Sequence, residues 1–190
     1  MARVTTTSKI LFAVIIIVLI LTGSFFLAAY VRDSVAAQAL VSQFGYIGVL
    51  MLAVVSGLNA FIPIPAATFT AVFTAAGLTL PLIVVMLVLG TIIADFTGYI
   101  FGRWGRELIT HKYPRTHRTV TSAAQKHRRW LPFLITGYAA FIPFPNEAVI
   151  IPLALSGIRF EMMLIPLLIG NTINQAALAY GIQNIFSWFF

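Results

Sequence analysis

The sequence predicts an all-α integral membrane protein: one N-terminal span followed by two inverted repeats, each a re-entrant helical hairpin and a transmembrane helix. Three observations lead there. Of the 190 residues, 60% are hydrophobic and 9% charged, with mean hydropathy +0.98, against roughly 25% charge in a soluble domain. The charge is also concentrated. Between Arg103 and Arg129 lie eight basic residues, one acid (Glu107) and all three histidines, so that stretch carries the whole formal charge of +7 and the rest of the chain sums to zero. Finally, a set of glycines and prolines recurs at a constant offset, from Gly57 on Gly137 to Gly90 on Gly170. A nucleic-acid binder would spread its charge over a soluble face. With no cysteine there is no disulfide, thiolate metal site or Cys nucleophile.

The N-terminal span (1–33) rests on Ile10–Val31, an uncharged run between Lys9 and Arg32, long enough to cross about 30 Å of hydrocarbon. The alternative is a cleaved signal peptide. Its apolar core would be shorter, about 7–15 residues, and a small-residue cleavage site would follow, so an uncleaved anchor is expected. Repeat 1 (34–102) opens on an uncharged stretch from Ser34 to Ala94, interrupted at Gly57, Asn59, Pro63, Pro65, Gly77 and Pro81. The pieces Tyr46–Leu58 and Ala66–Leu78 are short. As helices they would reach only about 20 Å, so they are expected to form a hairpin (about 46–78) ahead of a full span at 80–102. Broken backbone survives at membrane depth where it is buried in protein or lines a wet cavity.

A basic loop (103–130) separates this unit from repeat 2 (131–182). There Leu131–Ile142 and Asn146–Gly157 flank Pro143 and Pro145 as a hairpin (about 131–157), and 161–181 is the span; a tail (183–190) follows. The Lys/Arg bias puts the N-terminus and the basic loop in the cytoplasm of a multi-pass protein of the cell (plasma) membrane.

At the constant offset i to i+80, without a gap, Gly57, Ala60, Phe61, Ile62, Pro63, Pro65, Gly77 and Gly90 fall on Gly137, Ala140, Phe141, Ile142, Pro143, Pro145, Gly157 and Gly170. A hairpin plus one span crosses an odd number of times, so the second copy enters from the opposite face. Secondary transporters use inverted repeats to hold a site near the midplane between facing broken segments. A duplicated packing scaffold without transport is the alternative.

Polar residues at depth supply candidate site residues. Asp95 lies eight residues before Arg103, about 12 Å inside its helix, where an acid usually faces the protein interior and marks a pathway. Asp95, Tyr99 and Arg103 share a helix face at i, i+4, i+8, so Tyr99 or Arg103 is a candidate to satisfy Asp95 structurally. Glu147 follows the second Pro-x-Pro break. It suits a proton-coupled carrier or, equally, an anion at the N-terminus of a helix starting near Asn146. Asn171, Asn174 and Gln175 share one face of the last span, for interhelical hydrogen bonding or a polar path, and Asn59 precedes the first break. Gly90, Ala94, Gly98 and Gly102 form a small-residue stripe suited to close helix packing. The cytoplasmic basics suit anionic headgroups or simple topology. His111, His117 and His127 lack an acid or Cys partner at tight spacing, so no metal is expected. No Walker loop, G-x-S-x-G or H-E-x-x-H is present, so the chain reads as a non-enzyme without a cofactor.

The stretch Ala94-Asp95-Phe96-Thr97-Gly98-Tyr99-Ile100-Phe101-Gly102-Arg103-Trp104-Gly105 resembles the GD-x-x-GY-x-x-GR-x-x-G motif of the DedA family, the VTT-domain membrane proteins. The hairpins ending in Ala76-Gly77 and Ser156-Gly157 are similar to that family's two facing re-entrant loops, and the resemblance covers about residues 45–182. It implies movement of lipid (phospholipid or polyprenyl phosphate) between leaflets, as a flippase or scramblase coupled to a proton or sodium ion. The sequence departs from the family at both breaks. Asn59-Ala60-Phe61-Ile62-Pro63-Ile64-Pro65-Ala66-Ala67 carries no charge, and Ala140 and Asn146-Glu147 stand where the family has arginines. The expected mechanism is a midplane cavity in which Glu147 or Asp95 binds a coupling proton or cationic headgroup while Arg103 holds a phosphate at the cytoplasmic mouth. A small-solute or drug exporter of the same architecture, and a non-transporting scaffold assembling as a homo-oligomer through the glycine stripe, are the alternatives.

Overall fold

The computed structural model describes residues 6–58, 65–112, 121–122, 125–142 and 144–189, with the side chains of 6–14, 16–17 and 107–112 left aside. Asn59, Pro63 and Pro143 lie outside the described residues. Among those described, the regular structure is helical. α1 (Thr6–Asp33) and α2 (Val35–Gly57) lead to a 3-10 turn (Ala66–Phe69) and α3 (Thr70–Ala75). α4 (Leu80–Lys112), α5 (Leu131–Phe141), α6 (Glu147–Leu155) and α7 (Phe160–Phe189) follow. By length and composition α2, α4 as far as Arg106, and α7 are each able to cross a membrane. Their outward faces are apolar, with Phe44, Ile47, Met51 and Val55 of α2 all exposed. The described chain is helical, and these three helices are compatible with a membrane protein.

Local chemistry sets the element ends. Ser34 caps α2, its hydroxyl accepting from Ala37 N at 3.3 Å, one of the orphan donors of a helix start. Within α2 the chain breaks at Gly45 (φ 51, ψ −144), a conformation costly for any residue with a Cβ, so Tyr46 begins a separate straight arm. The phenol oxygen of Tyr46 accepts from the backbone N of Thr79 at 3.0 Å, tying that arm to the start of α4. Segment 35–44, to which the sequence assigned no element, is helical.

Two further helix ends share one geometry. Ala76 N bonds Val72 O, Gly77 N bonds Thr74 O and Leu78 N bonds Phe73 O; Ser156 N, Gly157 N and Ile158 N bond Pro152 O, Ala154 O and Leu153 O. Every bond of the first set recurs in the second at the offset that aligns the two breaks. The glycine in each is left-handed, at φ 89 for Gly77 and φ 82 for Gly157, as a helix C-terminus closed this way requires.

Close packing then follows the small residues. A Cβ on Gly90 would stand 2.4 Å from Ala53 Cβ and 2.8 Å from Leu50 O, so the α2 arm lies directly on α4. A Cβ on Gly170 would stand 2.6 Å from Ala139 Cβ and 2.8 Å from Thr136 O, so α5 lies on α7 in the same manner. The other end of the α4 stripe receives a different helix. Gly98 faces Glu147 and Gly102 faces Ala154 and Ile151, all on α6. The stripe's close approaches are therefore made within this chain. α1 packs on α3 and α2 and buries Ser24, Ala28 and Val31.

Both long helices outrun the boundaries expected for them. α4 continues from Gly102 to Lys112, through the start of the expected basic loop, and α7 passes Gly181 to reach Phe189. Arginine and lysine are good helix formers and cations near a helix C-terminus are favoured by its dipole, so the basic residues from Arg103 onward do not end the helix.

Candidate functional site

α4, the start of α6 and α7 meet at Asp95. Its side chain is 1% exposed. Asn171 of α7 donates through Nδ2 to Asp95 Oδ2 at 2.9 Å, and Asn146 donates through Nδ2 to the same oxygen at 3.1 Å. The Asn146 amide also donates to Asn171 Oδ1 at 3.0 Å. Three side chains from three segments thus close a triangle around one carboxylate oxygen. Burying a carboxylate in an apolar interior is costly unless donors meet it, and these amides supply them.

Asn146 occupies the N-cap position of α6, yet its side chain makes no capping bond. Its backbone carbonyl accepts from Val149 N and Ile150 N at 2.9 Å each, which starts the helix and leaves the amide to reach Asp95. Glu147, the first residue of α6, is 7% exposed. The helix N-terminus favours its negative charge, and the missing Cβ of Gly98 makes room for it: a Cβ there would lie 3.1 Å from Glu147 Cγ. Glu147 is near enough for its charge to act on both Asp95 and Tyr138. Tyr138 in turn donates to Pro145 O at 3.2 Å, bracing the second break.

A second hydrogen-bonded pair lies one helical turn away along the α4–α7 contact. Gln175 Nε2 donates to Thr91 Oγ1 at 3.1 Å, while the Thr91 hydroxyl donates to Leu87 O at 2.8 Å. Asp95–Asn171 and Thr91–Gln175 step in opposite directions along the two helices, so α4 and α7 run antiparallel. Farther along α7, Thr74 Oγ1 donates to Gln183 Oε1 at 2.6 Å. Asn174 has a more structural place: its amide donates to Ala140 O at 3.2 Å, one of the orphan carbonyls ending α5.

The expected site residues therefore divide. Asp95, Glu147, Asn146 and Asn171 come together; Gln175 is one turn away and Asn174 closes a helix end. Tyr99 and Arg103 do not serve Asp95. Arg103 is exposed and donates to the phenol oxygen of buried Tyr99 at 3.3 Å, and Tyr99 stacks among Phe96 and Phe160 with ring centroids 6.4 and 5.3 Å away. Thr91 and Thr74 went unnoticed in the sequence because threonine in an apolar helix usually bonds its own backbone. The signal that could have found Thr91 was the internal repeat, which carries it onto Asn171. Among the described residues no group of three His, Cys, Asp or Glu converges as a metal cluster would. Chemically, the centre is a pair of neighbouring buried carboxyls with amides on one side, able to hold a proton or a cationic group. Comparison of the chain with protein-family models, with curated proteins and with solved structures gives no match to any of them.

Proposed function

We propose that the chain is a DedA-like transporter that moves lipid between leaflets, with Asp95 and Glu147 as its ionisable groups. The observation that carries this reading is the Asp95–Asn146–Asn171 triangle beside Glu147, built where a broken segment meets two long apolar helices. Charged groups at such depth are expensive and mark pathways. The resemblance of Asp95–Gly105 to the family motif and the repeated turn at Gly77 and Gly157 support it further. On this reading the two units are inverted repeats whose hairpins enter from opposite faces, and the arginine-rich end of α4 faces the cytoplasm of a cell-membrane protein. A proton shared by the two acids is the coupling species.

The test is leaflet exchange of labelled phospholipid and polyprenyl phosphate in proteoliposomes, with and without a pH gradient. Exchange should fall at least tenfold in Asp95→Asn and Glu147→Gln, and rates unchanged in both variants would overturn the assignment. One observation favours a second reading, export of soluble cations: the groups around Asp95 are acids and amides, while Arg103 points away to Tyr99. Saturable, Glu147-dependent flux of an organic cation without lipid exchange would select it.

A further inference from the structure

The offset that aligns the two breaks also carries Thr91 onto Asn171 and Asp95 onto Gln175. Exchanging the halves therefore turns the pair Asp95–Asn171 into the pair Gln175–Thr91, and both pairs are hydrogen-bonded. The same offset carries Ala66 and Ala67 onto Asn146 and Glu147. The molecule holds one polar centre twice, once with its acids and donors and once stripped of them.

The stripped copy has an unanswered group. Asp95 Oδ2 accepts from both Asn171 and Asn146. The amide nitrogen of Gln175 donates to Thr91, but its Oε1 is buried and accepts from no group among the described residues. Where Asn146 would supply a donor, Ala66 has a methyl group. The hydroxyls of the turn and short helix after Ala66, and that of Thr91, are engaged elsewhere: Thr68 donates to Pro65 O at 2.8 Å, Thr70 to Ala67 O at 2.7 Å and Thr91 to Leu87 O at 2.8 Å. A buried acceptor without a donor calls for a specific explanation, of which a ligand is one.

We infer that Gln175, held by Thr91, is the uncharged half of the binding site and takes a hydrogen-bond donor of the cargo headgroup, an ammonium N–H or a hydroxyl O–H, on its Oε1. The inference rests on the transport reading above. It makes Gln175 a specificity residue: headgroups that carry a donor are preferred to those that carry none. The acids and Gln175 then grip opposite sides of one headgroup across a single turn of α4.

The experiment is leaflet exchange in vesicles of labelled phosphatidylethanolamine and phosphatidylglycerol, which carry donors, against phosphatidylcholine, whose trimethylammonium has none. Wild type should exchange the first two roughly tenfold faster than the third, the worth of one well-placed hydrogen bond. Gln175→Met should erase that preference by slowing only the donor-bearing lipids, and Gln175→Glu, which keeps an acceptor, should retain it. Ala66→Asn supplies the missing donor from the protein itself, so it should likewise abolish the preference. Thermal unfolding in detergent shows that each variant is folded, and a preference lost in Gln175→Met alone still carries the inference if Ala66→Asn does not fold. Wild-type exchange whose selectivity is the same in Gln175→Met overturns this inference and leaves the transport reading standing. A wild-type protein that exchanges none of the three overturns both.

Discussion

Gly90 meets Ala53 in the first half of the chain as Gly170 meets Ala139 in the second, with the same atoms in the same order. Gly77 and Gly157 close the same bonds at the same helix end. The halves part company where the short helix of each meets the long helix of the other. α6 sits close on α4 because Gly98 and Gly102 leave room, and it brings Asn146 and Glu147 with it. The matching positions of α7 are Leu178 and Ile182, and those of the first unit are Ala66 and Ala67. Identity between the halves is thus concentrated in packing, and the polar chemistry lies in the differences. Two halves can share their backbone approaches while only one of them carries charge.

The most severe way to break this comparison is to fill the paired glycines. Gly90→Leu and Gly170→Leu each drive a side chain into backbone 2.8 Å away, and overpacking of this kind should destabilise each variant by roughly 3 kcal/mol. Reversible unfolding in detergent checks it, and tolerance in one half alone would show that the two approaches are not equivalent. The central polar pairs should differ next. Asp95→Ala strands the amides of Asn146 and Asn171 and is expected to cost about 3 kcal/mol, against about 1 kcal/mol for Gln175→Ala, which loses one bond. Equal losses would mean that the acid centre is no more tightly built than its neutral counterpart.

The turns sharpen the comparison at smaller scale. Gly77→Ala incurs the strain of left-handed backbone alone, about 1 kcal/mol, since its Cβ would meet nothing within 4 Å. At Gly157 a Cβ would stand 2.9 Å from the Arg106 guanidinium, the far end of a long side chain that can swing aside, so Gly157→Ala should also cost about 1 kcal/mol, and a clearly larger loss that Arg106→Ala relieves would show that the guanidinium is held in place. Smallest of all, Thr74→Ala removes the bond to Gln183 and should lower stability by about 0.5 kcal/mol, with no change in the proposed lipid exchange. A loss of exchange in that variant would extend the proposed path along α7 beyond Gln175.

Much of the scaffold was legible in the residues because it depends on local chemistry. Gly77 and Gly157 end the short pieces where only a residue without a Cβ adopts the backbone easily, and the proline-bounded pieces at 46–58 and 131–142 have the lengths of the arms observed, whereas the break at Gly45 was not expected. The site was legible only in part. Asp95 is conspicuous as the one acid within an otherwise uncharged stretch from Ser34 to Gly102, and Asn146 and Asn171 are expected site residues, but local spacing pairs Asp95 with Tyr99 and Arg103. Asn146 and Asn171 are 51 and 76 residues distant, beyond any periodicity of a single helix.

By itself the sequence determined helices long and apolar enough to cross a membrane, the glycine-closed helix ends and the acids set within apolar stretches, because composition, backbone allowance and charge cost are properties of residues and short segments. The tertiary structure decided which amides meet Asp95, that Arg103 turns to Tyr99, that the glycine stripe divides between α2 and α6, and that Gln175 keeps an unanswered oxygen. Those outcomes depend on how helices from opposite ends of the chain cross. A hydrogen bond that is absent at a separation of one extra turn forms only after the glycines have set the distance between backbones.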